Sequence, residues 1–227
     1  MKVSFITRCM NRLEHIKETY LLNIDVALQS GLDFEFILLD WSSTDGLQEW
    51  IKSNLSNYIK KDIVKVITVK DQNIFHRSKT LNILGKSCRG ELICNLDADN
   101  YLCLDFLSHI PKVFNKNPNS IIHCRGRPKR GWRGIFGRIV YRKDCFLKIR
   151  GYDESMTGYG EEDMDFLNRY CHYFKPNLVI IRENECGKCI HHGIDEPMKM
   201  AKNKSTSDYN IKNGNFIVNS TDWGEAQ

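Results

Sequence analysis

The chain has 227 residues, 41% of them hydrophobic and 27% charged, with a formal net charge of +5. That length and balance suit a folded unit with a full core and exclude a low-complexity or disordered chain. No apolar run approaches the ~20 residues that cross a bilayer, and Met1-Lys2-Val3-Ser4-Phe5-Ile6 lacks the long apolar region of a signal peptide. A cytoplasmic location is therefore expected, with the nine cysteines mostly reduced.

Strand-like and helix-like segments alternate through the first half. Residues 3–8 form an apolar strand pattern, and Leu13, Ile16, Tyr20, Ile24 and Ala27 then recur at helical spacing up to Gly31. Residues 34–40 are a second strand, 45–55 a helix with Asp45 at its N-cap, and 63–69 a third strand. A helix over 78–87 leads to a fourth strand, 91–96. This order predicts an α/β fold with a mostly parallel, Rossmann-like sheet flanked by helices. Further on, 104–114 and 161–174 read as helices, and 121–124, 137–141 and 178–181 as short strands. Residues 199–227 are polar and poor in apolar side chains, so they are expected to be peripheral or partly disordered.

Four clusters carry chemistry. Asp97-Ala98-Asp99 ends the fourth strand, and in extended chain both carboxylates face one spot at the end where open α/β sheets bind ligands. Two hard oxygen ligands there suit Mn²⁺ or Mg²⁺ holding phosphates. The plainer alternative is that Asp97 starts a turn and Asp99 caps the next helix. Glu161-Glu162-Asp163-Met164-Asp165 opens a helix after Gly158-Tyr159-Gly160. Acids favour a first helical turn, yet four in five residues exceed what a cap needs, and one could act as general base.

Cys186-Gly187-Lys188-Cys189-Ile190-His191-His192 raises a zinc reading, but no second C-x-x-C exists; the alternative is that one histidine reaches the cation at Asp97-Ala98-Asp99. Arg125, Arg127, Lys129, Arg130 and Arg133 fall within nine residues, with glycines and a proline between them. Arg125-Gly126-Arg127-Pro128 matches a short minor-groove hook, but a solvated loop or a substrate-covering lid accounts for it more simply. A polyanion, an anionic membrane surface or a nucleotide diphosphate are the partners such a loop suits.

Taken together, these blocks resemble nucleotide-sugar glycosyltransferases of the GT-A fold, a mixed and mostly parallel sheet. The likeness is to β-1,4-galactosyltransferases and chondroitin-polymerase domains of families 7 and 2. Residues 11–17 (NRLEHIK) resemble N-R-x-E-H-L-K, and 75–82 (FHRSKTLN) resemble F-N-R-A-K-x-L-N. Asp97-Ala98-Asp99 stands for D-V-D, and 158–169 (GYGEEDMDFLNR) resemble G-W-G-G-E-D-D-D-I-F-N-R. Residues 189–192 (CIHH) fit M-I-R-H, whose last histidine binds manganese. The blocks keep their order from residue 11 to 192.

The resemblance implies one catalytic unit. Residues 1–100 would form the nucleotide-binding lobe, 101–198 the acceptor-binding lobe, and 199–227 a C-terminal extension. Thr7, Arg8, Arg12, Asp40, Arg77 and Lys79 would face the UDP moiety. Asp99 and His192, with Asp97 nearby, would hold Mn²⁺ or Mg²⁺, Asp97 also lying near the sugar or ribose. Asp163 would be the base, Glu162 would hold a sugar, and Tyr159 would stack on one. Trp132, in Gly131-Trp132-Arg133-Gly134, matches G-Y-F-G and would lie by the donor or acceptor. The sequence departs from the pattern at Trp41, where many family 2 members carry an acid reading uracil, at Glu161 for glycine, and at Met164 for an acid.

The implied activity is inverting transfer of a hexose or N-acetylhexosamine from a UDP-sugar to a glycan or lipid-linked oligosaccharide. Surface polysaccharide synthesis is the expected setting, with peripheral association at the inner membrane face. No nucleic-acid partner is expected. The rival readings are a nucleic-acid module acting through Arg125–Arg133 and a catalytically silent nucleotide-sugar-binding subunit of a glycan synthase.

Overall fold

The computed structural model describes residues 1–125, 132–190 and 200–225. Among them, seven runs become strands: β1 (Lys2–Cys9), β2 (Asp33–Trp41), β3 (Val64–Val69), β4 (Leu92–Asn95), β5 (Ser120–Arg125), β6 (Ile139–Arg142) and β7 (Asn177–Arg182). They form one sheet in the order β3-β2-β1-β4-β6-β5-β7. β1 runs parallel to β2 and β4, and β2 to β3. β6 is antiparallel to both β4 and β5, while β5 and β7 are parallel. The expected mixed, mostly parallel sheet is present, and the reversal at β6 decides where the site lies.

Helices cover both faces, so the central strands are apolar on both sides. Alternate residues supply two separate cores. Phe5, Phe36, Leu38, Cys94 and Val140 meet α1 (Leu13–Gln29) and later α5 (Leu104–Lys116) on one face. Ile6, Ile37, Leu39, Ile93 and Tyr141 face the other core, with Leu81 and Leu84 of α4 (Arg77–Ser87) and Phe166 and Tyr170 of α7 (Glu162–Phe174). The shorter helices are α2 (Leu47–Asn54), α3 (Ser56–Lys60), α6 (Lys143–Lys148) and α8 (Glu183–Cys186).

Two local expectations are corrected. Asp45 does not cap α2, which begins after Gly46 at φ 90° with no side-chain cap. Its Oδ2 instead accepts from Leu13 N at 2.7 Å, so it caps α1, whose own N-cap residue Arg12 does not cap the helix with its side chain. Asp99 is not a helix cap either, because α5 starts at Leu104 behind Cys103.

The polar C-terminal segment is not loose. It forms α9 (Met200–Lys212), which packs against α7. Trp223 is buried edge-on against Phe146, and Lys86 Nζ both lies over its ring and donates to its carbonyl at 2.7 Å. The polarity of this segment serves hydrogen bonds to the fold: Asn219 Nδ2 donates to Arg150 O and Tyr152 O, and Gly224 N to Glu154 Oε1. Among the described residues no helix is long and apolar enough to cross a membrane.

Candidate active site

The turn Asp97-Ala98-Asp99-Asn100 leaves β4 with Asn100 N donating to Asp97 O at 3.0 Å. Helix α1 holds it from behind. Thr19 Oγ1 donates to Ala98 O at 2.6 Å; one helical turn later, Asn23 donates to Asn100 O and accepts from Leu102 N. Asn100 is fully buried: its Nδ2 donates to Asp99 Oδ1 and Gly134 O, and its Oδ1 accepts from Arg138 Nη2. From the opposite side, Ile190 N donates to Asp99 O at 2.8 Å, and Tyr101 N donates to Lys188 O. Residues 188–190 are thereby laid along residues 99–101. The two carboxylates project from a turn whose four carbonyls all accept hydrogen bonds.

The second acidic cluster arrives on the first turn of α7. Glu161 enters this helix at φ 72°, after Gly158 and Gly160 at φ 80° and 90°. Three left-handed residues in four make the sharp corner that aims the helix start inward; for Glu161, lacking glycine's freedom, this is a strained conformation. Glu162 is almost fully buried and meets Arg8 Nη2 at 3.4 Å and Arg77 Nη1 at 3.7 Å. Arg8, buried at the end of β1, also has Nε 3.5 Å from Asp97 Oδ1 and donates Nη1 to Arg77 O at 3.1 Å. Burial alone would pull the Arg8 guanidinium down, but Asp97, Glu162 and Asp163 together hold it well above its ordinary value.

Asp163 faces Asp97 across Gly137. A Cβ on that glycine would lie 3.0 Å from Asp97 Oδ2 and 3.0 Å from Asp163 Oδ2, so the missing side chain leaves the gap the two acids share. Asp163 Oδ1 is shielded from solvent and has no hydrogen-bond partner among the described residues. Burial first, then Glu162 and Asp97, push its carboxyl well above the usual carboxylate range, with Arg8 and Arg77 opposing. Gly134 instead makes room for Cys189: a Cβ there would meet Cys189 Sγ at 2.9 Å, while lying at ordinary contact, 3.8 Å, from Asp99 Oδ2.

Asp97 and Asp99 are hard oxygen donors beside two bare glycines, and this set fits Mn²⁺ or Mg²⁺. Among the described residues no group of three or more His, Cys, Asp or Glu side chains is placed to hold a metal. His192, the expected third ligand, lies outside the described residues, as do His191 and residues 126–131 of the cationic loop. Cys186 is buried and donates to Ile181 O, while Cys189 packs on Gly134.

The residues expected on the nucleotide side divide into two groups. Arg77 opens α4, its guanidinium 4.4 Å from the Tyr159 ring centre and 5.8 Å from that of Phe75, so one face of Tyr159 is taken by the arginine. Lys79 lies half-buried on the same helical turn, with its N donating to His76 Nδ1. Thr7 is buried beside Arg8, and its Oγ1 has no partner among the described residues. Asp40, in contrast, is buried and spent on its own turn, accepting from Ser43 N at 2.9 Å and from Gln48 Nε2. Trp41 turns into the core and donates Nε1 to Ile74 O at 2.8 Å. Arg12 contributes its carbonyl to the first bond of α1. Trp132 starts a 3₁₀ turn, Trp132–Ile135, and the glycines that face the acids follow it at 134 and 137.

Arg8, Arg77, Asp97, Tyr159, Glu162 and Asp163 are therefore brought together, with Asp99 on the same turn as Asp97. Sequence reasoning missed Thr19, Asn23, Asn100 and Arg138, which position that turn, and the role of Gly137. The glycine spacing 131, 134, 137 was the only local signal for it.

The sequence pattern of the family described as Glycosyl transferase family 2 matches residues 4–182. No curated protein matches the chain by sequence. Among solved structures, a 1–349 fragment of S. aureus TarS superposes with a TM-score of 0.62 at 17% identity, covering 80% of this chain and 58% of the fragment. The mannosyltransferase PcManGT of Pyrobaculum calidifontis, in complex with GDP-Man and Mn²⁺, gives 0.65 at 14% identity, covering 92% of this chain and 61% of that one. A Drosophila β-1,4-galactosyltransferase 7 mutant with manganese, UDP-Gal and xylobiose gives 0.60 at 14%, covering 91% and 79%. The chain thus spans about three-fifths of the TarS fragment and of PcManGT. These likenesses carry the GT-A fold, and the sequence match over most of the chain carries the family: the chain belongs to glycosyl transferase family 2.

Proposed function

We infer that the chain is an inverting, metal-dependent transferase that moves a hexose or N-acetylhexosamine of the galactose type from a UDP-sugar to a glycan or lipid-linked acceptor. The observation that carries this reading is the meeting of Asp97 and Asp163 on either side of Gly137. One acid comes from the metal-type turn after β4 and the other from the start of α7, so a donor at the first would present its reacting carbon to the second. The nucleotide sugars and Mn²⁺ in the superposed complexes support a nucleotide-sugar donor and a divalent cation. The resemblance of residues 189–192 to M-I-R-H assigns His192 to the same cation.

Asp99, Asp97 and His192 would hold the cation, which when bound would supply positive charge against that developing on the departing diphosphate. Arg77 and Lys79, on the first turn of α4, add positive charge to that side. Arg8 keeps the acids from repelling one another. Asp163 accepts the proton of the acceptor hydroxyl as that oxygen bonds the anomeric carbon. Attack opposite the leaving UDP inverts the carbon, giving a β-linked product from an α-linked donor. Glu162, clamped by two arginines, orients the sugar.

The test pairs binding with turnover. A UDP-sugar panel should contain one donor that raises the melting temperature only with Mn²⁺. Asp163→Asn should lower transfer by at least about 10³-fold while keeping that thermal protection. Full activity of the variant would remove Asp163 as base, and absence of any Mn²⁺-dependent protection would remove the donor assignment.

A further inference from the structure

Helix α9 buries a polar stripe where a docking helix ordinarily buries an apolar one. Asn203, Ser207 and Asn210 recur at helical spacing, and each is at least nine-tenths buried. Asn210 Nδ2 donates to Asp153 Oδ2 at 3.0 Å, and Ser207 lies beside the Asp165 carboxylate. Asn203 differs from both in what it holds. Its Nδ2 donates to Thr157 O at 3.2 Å and to Gly160 O at 2.9 Å, spanning the loop that carries Tyr159.

Besides Asn203, the described residues that hold this loop are Arg77, stacked on Tyr159, and Asp165, whose N donates to Glu161 O. The loop runs through two glycines and a strained Glu161 with positive φ, a path many unfolded-like alternatives would compete with. Its exit sets the first turn of α7, where Asp165 N donates to Glu161 O at 2.8 Å, and so sets Glu162 and Asp163. Its middle sets Tyr159 against Arg77. An amide that donates both of its N–H groups to carbonyls on either side of Gly158-Tyr159 ties the two ends of the corner together.

We propose that Asn203 is a positioning residue for transfer: by bridging Thr157 O and Gly160 O, it holds the corner that places Tyr159, Glu162 and Asp163 opposite Asp97. The C-terminal helix is on this account part of the catalytic apparatus without touching substrate. The proposal rests on the reading of Asp163 as the base and of Tyr159 as a sugar-stacking group.

Two variants test it in the full chain. Asn203→Ala removes both donors, and Asn203→Asp keeps the shape but presents an acceptor to two carbonyls. In hydrogen-exchange mass spectrometry, both should speed exchange of the amides of residues 157–162 by on the order of tenfold, with β1 and β4 unchanged. In turnover assays kcat should fall about 10- to 100-fold, with donor KM and UDP–Mn²⁺ thermal protection unchanged. Unchanged exchange over 157–162 in Asn203→Asp overturns the proposal. So does loosening that spreads equally to β1 and β4, since Asn203 would then serve general stability. If the wild-type chain turns over no UDP-sugar, the transferase reading fails, and the exchange result still decides whether Asn203 holds the corner.

Discussion

Arg8 and Glu162 are 154 residues apart in the chain, and their side chains meet at 3.4 Å with both nearly excluded from solvent. Arg8 is a buried cation amid three acids, two of them from α7 and one from the turn after β4. The pair joins the first strand of the sheet to the helix that carries the proposed base.

Replacing Arg8 by methionine keeps the volume and strips the cluster of its central positive charge. Breaking a buried pair by removing one partner costs roughly 3–5 kcal/mol, and Arg77, at 3.7 Å and partly exposed, compensates Glu162 only in part. Urea denaturation should show a loss of that order for Arg8→Met and a smaller one for Arg8→Met combined with Glu162→Gln. Equal losses in the two would mean that charge pairing is not what Arg8 contributes.

Gly137→Ala places a methyl 3.0 Å from both Asp97 Oδ2 and Asp163 Oδ2. Both acids must give by a few tenths of an ångström. A displacement on that scale at reacting groups lowers transfer by about 10- to 100-fold, with little change in the unfolding midpoint. Comparing kcat/KM and melting temperature in one preparation checks this; wild-type kcat/KM in the variant would show that the gap between the acids is not used.

Chelation supplies a third measurement. EDTA should abolish transfer, and Mn²⁺ should restore it in the wild type but not in Asp99→Asn. Melting temperature without nucleotide should stay constant through the cycle, because the fold is held by hydrogen bonds to the turn's backbone rather than by the cation. Restoration in Asp99→Asn equal to wild type would remove Asp99 from the metal site.

His123 gives the fold a pH dependence. It is fully buried in β5, its Nε2 bonded to Phe136 O at 3.0 Å and its Nδ1 unpartnered among the described residues. Burial pushes the imidazole down to about 4, against the opposite pull of the Phe136 carbonyl. An unfolded histidine titrates near 6.5. Between those values the unfolded chain takes up a proton the folded chain refuses, so stability is intact above pH 6.5 and falls as pH drops toward 4. The full loss is roughly 3 kcal/mol at about 1.4 kcal/mol per pH unit. His123→Gln, which can still donate to Phe136 O, should lose less stability between pH 7 and 4.5 than the wild type. Identical losses would place the acid sensitivity elsewhere.

Much of the sheet was legible because buried central strands leave near-continuous apolar runs, as in 34–40, and because Asp97-Ala98-Asp99 and Glu161–Asp165 cluster acids where loops release them. What escaped depends on distance along the chain. Asp45 has the local signature of a cap for α2, yet it bonds a residue 32 positions back; nothing near it encodes that choice. Asn23 and Thr19 interrupt the apolar stripe of α1, and the turn after β4 explains both. The stripe of Asn203, Ser207 and Asn210 looks like a solvated face, since polarity alone does not distinguish a side chain bonded to water from one bonded to buried carbonyls. Asp40 shows the converse: an acid in the right place for a ligand whose oxygens are already committed to Ser43 and Gln48.

The position of β6 has a consequence for how the molecule assembles. β6 follows β5 in the chain but lies between β4 and β5 in the sheet. The local β5–β6 pairing can form before the long-range contact with β4, because short loops close at lower entropic cost. The late step is then docking of that strand pair, with Gly137 two residues before β6, onto the parallel strands already ordered around β1. Until it docks, Asp97 has no neighbour across Gly137 and Asp163 has nothing to face. Competence for chemistry is consequently acquired last, and recovery of activity on refolding should trail recovery of helical signal.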